Sequence, residues 1–303
     1  MATIALKIDV DTYRGTREGV PRLAAALERA GARATFLFSL GPDHTGRAIK
    51  RVFRRGFLGK VRRTSVTQHY GFKTLLYGVV LPGPHVGRRC AQVMREVAQR
   101  GFEAGVHTYD HIKWQDGVAQ ASEPWTRRQL VLARDEFIRV FDRAPEAHGA
   151  AGWQVNDSVP GLERELGFGY ASDTRGVSPF VPVVDGSEVP VPQLPTTLPT
   201  LDELIGREDL GGADPIEHLL SLTDDDRDQV FTLHAELEGG HYLGGFERLL
   251  GAWRARGFNL TDLRSYAAAL DPPRLPRCPI LAGAVAGRSG TLAVQGAASA
   301  LGL

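Results

Sequence analysis

The sequence predicts an α/β fold, a parallel sheet with its helices outside, on two observations. Short apolar runs alternate with amphipathic stretches through most of the chain, the pattern of strands joined by helical crossovers. Five polar residues able to carry chemistry, Asp9, Asp11, His107, Asp173 and His234, fall at the C-terminal ends of predicted strands. That is where α/β enzymes assemble their sites.

The elements follow in order. Residues 4–10 are a buried strand. Residues 21–30 are a helix, with proline at its start and Gly31 past its end. Residues 34–40 are the next strand, after which residues 44–87 break the rhythm. A helix over 88–100, closed by Gly101, leads into a strand over 102–107. Residues 124–141 form a long helix with Leu130, Phe137, Val140 and Phe141 on its apolar side. Short strands over 147–151 and 169–172 flank a helix over 158–166. The proline-rich stretch 177–200 reads as a long irregular loop, because the core pattern resumes after it. A strand over 229–234 and helices over 243–256 and 261–270 complete the domain, placed at residues 1–272. Residues 273–303 turn Ala-, Gly- and Leu-rich and read as a poorly ordered tail.

With 303 residues there is room for one large domain or two smaller ones. Cys90 and Cys278 are the only cysteines and have no metal-like spacing, which argues against a disulfide scaffold and for a reducing compartment. No leader-like segment and no bilayer-length apolar run is present, so the chain is expected to stay on the cytoplasmic side. Charge is distributed unevenly. Residues 44–95 hold twelve of the 36 Lys and Arg and none of the 35 Asp and Glu, a local positive field suited to a polyanionic partner.

The chemistry-bearing set is two carboxylates and two imidazoles. Asp9 and Asp11 are two apart and point to one side of an extended chain. His107 and His111 are four apart, a spacing that one helical turn would bring to one face. One carboxylate and two imidazoles suit a divalent metal, and the second carboxylate would be left as a base. Taken singly, each residue has a plainer reading: Asp9 and Asp11 as turn or cap residues, Asp110 as a cap, and the histidines, His234 included, as core or surface groups. Their joint placement at strand ends favours a site. His44, His69, His85, His148, His218 and His241 lack that support and are read as structural.

At these residues the chain resembles the NodB-like polysaccharide deacetylases, carbohydrate esterase family 4. The motifs are Ile8-Asp9-Val10-Asp11, His107-Thr108-Tyr109-Asp110-His111 and Leu233-His234. Within that family it is more similar to the branch that deformylates undecaprenyl-phosphate-linked 4-deoxy-4-formamido-L-arabinose. Ala150-Ala151-Gly152-Trp153, Ser172-Asp173-Thr174-Arg175-Gly176, residues 192–200 and 234–239 carry that likeness, which extends to about residue 270. The resemblance implies a distorted (β/α) barrel and a divalent metal (Mn, Co or Zn) held by Asp11, His107 and His111. It implies Asp9 as general base and His234 as general acid. Asp173, Arg175, Trp153 and Tyr109 would orient these groups or touch substrate. It also implies a part in lipid A modification and polymyxin resistance. The chain departs from the wider family at the third motif, where residues 148–152 lack the family's arginine; Arg175 is the candidate substitute.

The insert over residues 44–87 reads as a membrane-interface segment. Residues 47–63 have the outline of an amphipathic helix: Arg47, Lys50, Arg51, Arg54 and Arg55 lie on one side, and Phe53 and Phe57 on the other. Basic, aromatic and aliphatic residues without acids suit an anionic membrane surface. No nucleic-acid motif accompanies them, so nucleic acid is not expected as a partner. The expected partners are the undecaprenyl-phosphate-linked sugar and the cytoplasmic face of the bacterial inner membrane. The competing readings are a deacetylase of N-acetylated polysaccharide or peptidoglycan, and a non-catalytic membrane or partner-binding module.

Overall fold

The computed structural model describes residues 1–48 and 74–298. Seven strands form one parallel sheet. They are β1 (Thr3–Val10), β2 (Thr35–Ser39), β3 (Glu103–Thr108), β4 (Ala147–His148), β5 (Tyr170–Ala171), β8 (Gln229–His234) and β9 (Asn259–Thr261). The order is β5-β4-β3-β2-β1-β8, with β9 pairing the start of β1. The intervening helices are α1 (Val20–Ala30), α2 (Ala91–Gln99), α3 (His111–Gly117), α4 (Glu123–Phe141), α5 (Ser158–Leu166), α6 (Leu201–Leu204), α7 (Pro215–Leu222), α8 (Leu243–Ala255) and α9 (Leu263–Ala268). The expected α/β class is present, with the sheet as a curled parallel half-barrel.

The period of two along β1 sorts its side chains onto two faces. Ile4, Leu6, Ile8 and Val10 join the large core that includes Leu23 and Leu27 of α1, Met94 of α2, and Phe246 and Trp253 of α8. Ala5 turns to the inner face with Leu37, Ala147, Leu194 and Val230. Lys7 and Asp9 share that parity, so the strand that anchors the core also carries two buried charges inward. Helix ends follow their sequence signals. Pro21 opens α1, Gly31 closes it at φ 62°, and Gly167 closes α5 at φ 84°.

Two expectations are corrected. Residues 273–303 were expected to be a poorly ordered tail. Instead β10 (Arg277–Gly283) and β11 (Leu292–Gln295) form an antiparallel pair, and β10 lies parallel to β6 (Val181–Val184), which pairs with β7 (Ser187–Glu188). This second sheet also gives strand structure to part of the proline-rich stretch expected to be irregular. Ala-, Gly- and Leu-rich composition does not prevent pairing here: Arg175 N donates to Ala293 O at 2.9 Å, and Gln295 N to Arg175 O at 2.8 Å. The amphipathic helix expected over 47–63 lies almost wholly outside the described residues. Lys50, Arg51, Phe53, Arg54, Arg55 and Phe57 all fall there, while Arg47 is exposed and donates to Gly78 O at 3.1 Å.

Candidate active site

Asp9 and His234 face each other because β1 and β8 are adjacent parallel strands in register, with Asp9 opposite His234. Asp11 lies just past β1, and His107 is the penultimate residue of β3. His111 opens α3, where Asp110 caps the helix by accepting from Lys113 N at 3.1 Å. The two histidines therefore do not share one helical turn, as their spacing suggested. They meet across a strand-to-helix junction, with ring centroids 5.3 Å apart.

Asp11 Oδ1 lies 3.3 Å from His107 Nε2 and 3.4 Å from His111 Nε2. That oxygen is buried without a hydrogen-bond partner, an unusual state for a carboxylate. His107 Nδ1 is 2.6 Å from Gly149 O. A proton on Nδ1 satisfies that carbonyl and leaves the Nε2 lone pair facing Asp11. The ligand atoms of Asp11, His107 and His111 fall within 4.8 Å of one another. This donor set and its orphaned oxygen fit a divalent cation. Burial works to raise the Asp11 carboxyl, yet the nearby imidazoles, His111 foremost, hold it well below the usual carboxylate range when they are protonated.

Around this cluster stand groups that the sequence reading did not single out. Lys7 is fully buried, with Nζ 3.5 Å from Asp9 Oδ2 and 2.8 Å from Ser172 O. It supplies a cation beside Asp9, the position for which Arg175 is the candidate from sequence. Arg175 points elsewhere: it pairs with Glu203, donates to Leu198 O at 3.0 Å, and lies 5.2 Å from the Trp153 ring centre. Asp173 does not hydrogen-bond Asp9 or His234. It accepts from Ala150 N at 2.6 Å and Gln193 Nε2 at 2.7 Å, and lies 3.2 Å from His148 Nδ1. His148, read as structural, thus joins Asp173 and Glu163 in a cluster wholly removed from solvent. Tyr109 turns its hydroxyl to His85 Nε2 at 3.3 Å. Trp153 is buried and packs edge-on to His234, with ring centres 6.4 Å apart.

His234 sits among Asp202, Asp11, Asp9 and Glu238. Burial opposes its charge, but these carboxylates, Asp202 foremost, raise its pKa to about 9. Its Nδ1 is 3.7 Å from Asp202 Oδ1, and its backbone N donates to Glu238 Oε2 at 2.9 Å. Glu236 Oε1 accepts from Asp11 N, Thr12 N and Thr12 Oγ1 at 3.1, 2.8 and 2.8 Å, fixing the turn that presents Asp11.

Comparison with known proteins places this geometry. The chain is 36% identical over 251 residues to a protein of Shewanella sediminis named "Probable 4-deoxy-4-formamido-L-arabinose-phosphoundecaprenol deformylase ArnD", covering 82% of this chain and 80% of that one. The chain belongs to this deformylase family. A second member, from Wigglesworthia glossinidia brevipalpis and carrying the same name, is 29% identical over 285 residues, covering 93% of this chain and 98% of the other. No family model matches the chain.

Solved structures agree on the fold. A structure from Mycobacterium smegmatis, assigned to polysaccharide deacetylases, superposes with a TM-score of 0.60 at 18% identity, covering 89% of this chain and 92% of that one. One from Pseudomonas aeruginosa PAO1, with a similar assignment, gives 0.59 at 15% identity, covering 88% and 90%. The deformylase-family chain thus carries the NodB-type half-barrel. Lys7, at the strand position two before Asp9, could have been found from the alternation used to pair Asp9 with Asp11. Asp202 has no such signal, because the long loop that brings it to His234 leaves no periodicity to read.

Proposed function

We propose that the protein is a metal-dependent amide hydrolase that removes the N-formyl group from undecaprenyl-phosphate-linked 4-deoxy-4-formamido-L-arabinose. The products are formate and the 4-amino-4-deoxy-L-arabinose carrier lipid used in lipid A modification and polymyxin resistance. The observation that carries this reading is the opposition of Asp9 and His234 across the Asp11–His107–His111 cluster, in a chain 36% identical to a protein named for that reaction.

Asp11, His107 and His111 would hold manganese, cobalt or zinc. When bound, the ion supplies an acidified water and polarises the formyl carbonyl. Asp9 takes the water proton through Oδ1, which is buried and unpartnered while Oδ2 faces Lys7. The water oxygen adds to the formyl carbon as the carbonyl π bond opens, and the carbon–nitrogen bond breaks as that π bond re-forms. His234, held protonated at neutral pH by the surrounding carboxylates, donates its proton to the leaving amine. Its Nδ1 faces Asp202, which leaves Nε2 to meet the nitrogen.

The substrate's lipid would remain in the bilayer while the sugar reaches the site. The acid-free basic insert supports a peripheral position on the cytoplasmic face of the inner membrane. Among the described residues, no helix is long and apolar enough to cross a membrane. Val79 and Val80, at the described end of the insert, are 49% and 73% exposed and would face that surface.

The test is formate release from the synthetic polyprenyl-phosphate formamido-arabinose by metal-stripped protein, with and without restored metal. Metal-dependent release that falls about 100-fold or more in Asp9→Asn and in His234→Ala supports both proton-transfer roles. No release by folded, metal-loaded protein rejects the reading, and acetylated glycans would be assayed next. Flotation with anionic vesicles tests the membrane position. Protein that stays with the soluble fraction rejects it.

A further inference from the structure

The hairpin of β10 and β11 ends against the acid side of the site. Its connecting loop carries Gly287 at φ 85°, so close to α6 that an added Cβ would lie 2.4 Å from Glu203 O. The next residue, Arg288, grips the start of α6. Its Nη1 lies 3.0 Å from Asp202 Oδ2, and its Nη2 lies 3.2 Å from Asp202 Oδ1. Its Nε donates to Glu203 Oε1 at 2.8 Å, and Nη2 donates to Thr200 Oγ1 at 3.2 Å. The guanidinium rests 4.8 Å from the Trp153 ring centre. Two-point engagement of one carboxylate by a planar guanidinium fixes that carboxylate in position and orientation. The carboxylate so fixed is the one that faces His234 Nδ1.

We propose that Arg288, delivered by the C-terminal hairpin, is a positioning residue for the acid half of the reaction: it holds Asp202 in place to orient His234. This rests on the reading of His234 as the general acid. Asp202 is 34% exposed on its side chain and Thr200 Oγ1 holds its Oδ1 at 2.6 Å, so losing Arg288 frees Oδ2 to turn toward water. The loop's close fit on Glu203 and the anchoring of Thr291 O by Gln154 Nε2 at 2.7 Å keep Arg288 from swinging away. The hairpin is therefore part of the active site, although it lies beyond the catalytic motifs in sequence.

The experiment measures kcat and KM for formate release from the polyprenyl-phosphate formamido-arabinose with full-length, metal-loaded protein. The variants are Arg288→Gln, Arg288→Ala, Asp202→Asn and the Arg288→Gln/Asp202→Asn double, each checked by melting temperature and metal content. Arg288→Gln keeps length and hydrogen-bonding capacity, and so serves if Arg288→Ala fails to fold. Arg288→Gln is expected to lower kcat about tenfold with KM within about twofold, and to add no further loss to Asp202→Asn. Wild-type kcat in Arg288→Gln, a loss confined to KM, or losses that multiply in the double variant would each overturn the proposal. Wild-type protein that releases no formate overturns the functional reading and this inference together. Turnover by the wild type with an unaffected Arg288→Gln removes the inference alone.

Discussion

Replacing Lys7 with methionine tests the most consequential buried contact of the site. Lys7 is fully buried, and Asp9 is 3% exposed. At 3.5 Å, with an effective dielectric near 20, the gross attraction is about 5 kcal/mol. Methionine matches the lysine stem but leaves Asp9 without its counter-charge and Ser172 O without its donor. Breaking a buried pair from one side costs about 3–5 kcal/mol. For a chain of 303 residues, with an unfolding entropy of about 2.1 cal/mol/K per residue, that lowers the melting temperature by about 5–8 °C. Calorimetry on the metal-loaded protein reads this directly. The pairing argument makes a sharper demand on the Lys7→Met/Asp9→Asn double variant, which carries no unpaired charge and should be more stable than Lys7→Met alone. A double variant as unstable as the sum of the two single losses would refute the reasoning, as would Lys7→Met with an unchanged melting temperature.

Adding manganese, cobalt or zinc to stripped protein should raise its melting temperature, since ligand at 100 times its dissociation constant contributes about 2.7 kcal/mol. Asp11→Asn should abolish most of that rise, and an equal rise in the variant would displace the metal from the Asp11–His107–His111 cluster. Stability should fall as pH rises from about 6.5 towards 10. Asp173 and Glu163 raise the His148 pKa to about 10 against burial, so its contribution is complete below the ordinary histidine value and is lost above its folded one. Burial also raises the Glu163 carboxyl well above its usual range, so it adds to the loss of stability as pH rises above the ordinary glutamate value. Glu163→Gln puts an uncharged amide in its place and should lessen the alkaline fall; thermal melts across pH that superpose for the two proteins would argue against the cluster as its source.

The legible part of the molecule is the part governed by short-range periodicity. The strands β1, β3 and β8 and the C-terminal placement of Asp9, His107 and His234 follow from alternation and from helix punctuation. The same logic, carried one step back along β1, turns Lys7 inward beside Asp9. Glu203, Asp202 and Arg288 were not legible for a different reason. They meet through the loop after β5 and a hairpin whose pairing with residues 175 and 181–183 is non-local. An Ala- and Gly-rich stretch with few charges looks alike whether it adds a sheet or frays. What distinguishes them here is a partner edge far earlier in the chain, at residues 175 and 181–183. The four-residue spacing of His107 and His111 led to the right convergence by the wrong geometry, because a strand that passes directly into a helix can also bring such residues together.

Trp153 joins the two halves of the site, and that role can be tested. Its ring centre lies 5.2 Å from Lys7 Nζ, which pairs with Asp9, and 4.8 Å from the Arg288 guanidinium, which pairs with Asp202; Arg175 lies at 5.2 Å. Its indole N–H donates to Thr196 Oγ1 at 3.2 Å, and its backbone adopts φ 51° just after Gly152 at φ 63°. A bulky residue in that region costs about 1–3 kcal/mol, so it persists because the surrounding contacts over-determine it. Trp153→Ala should therefore lose about 3–5 kcal/mol from the emptied volume, with no relief of that strain because alanine keeps the Cβ. Trp153→Phe keeps a ring face for the cations and loses the N–H bond, so it should retain most of the stability. Kinetically, Trp153→Ala should lower kcat more than Trp153→Phe does, because the cations beside Asp9 and Asp202 both lose the surface they rest on. Equal kcat in the two variants would mean that the aromatic face does not link the Asp9 side to the His234 side.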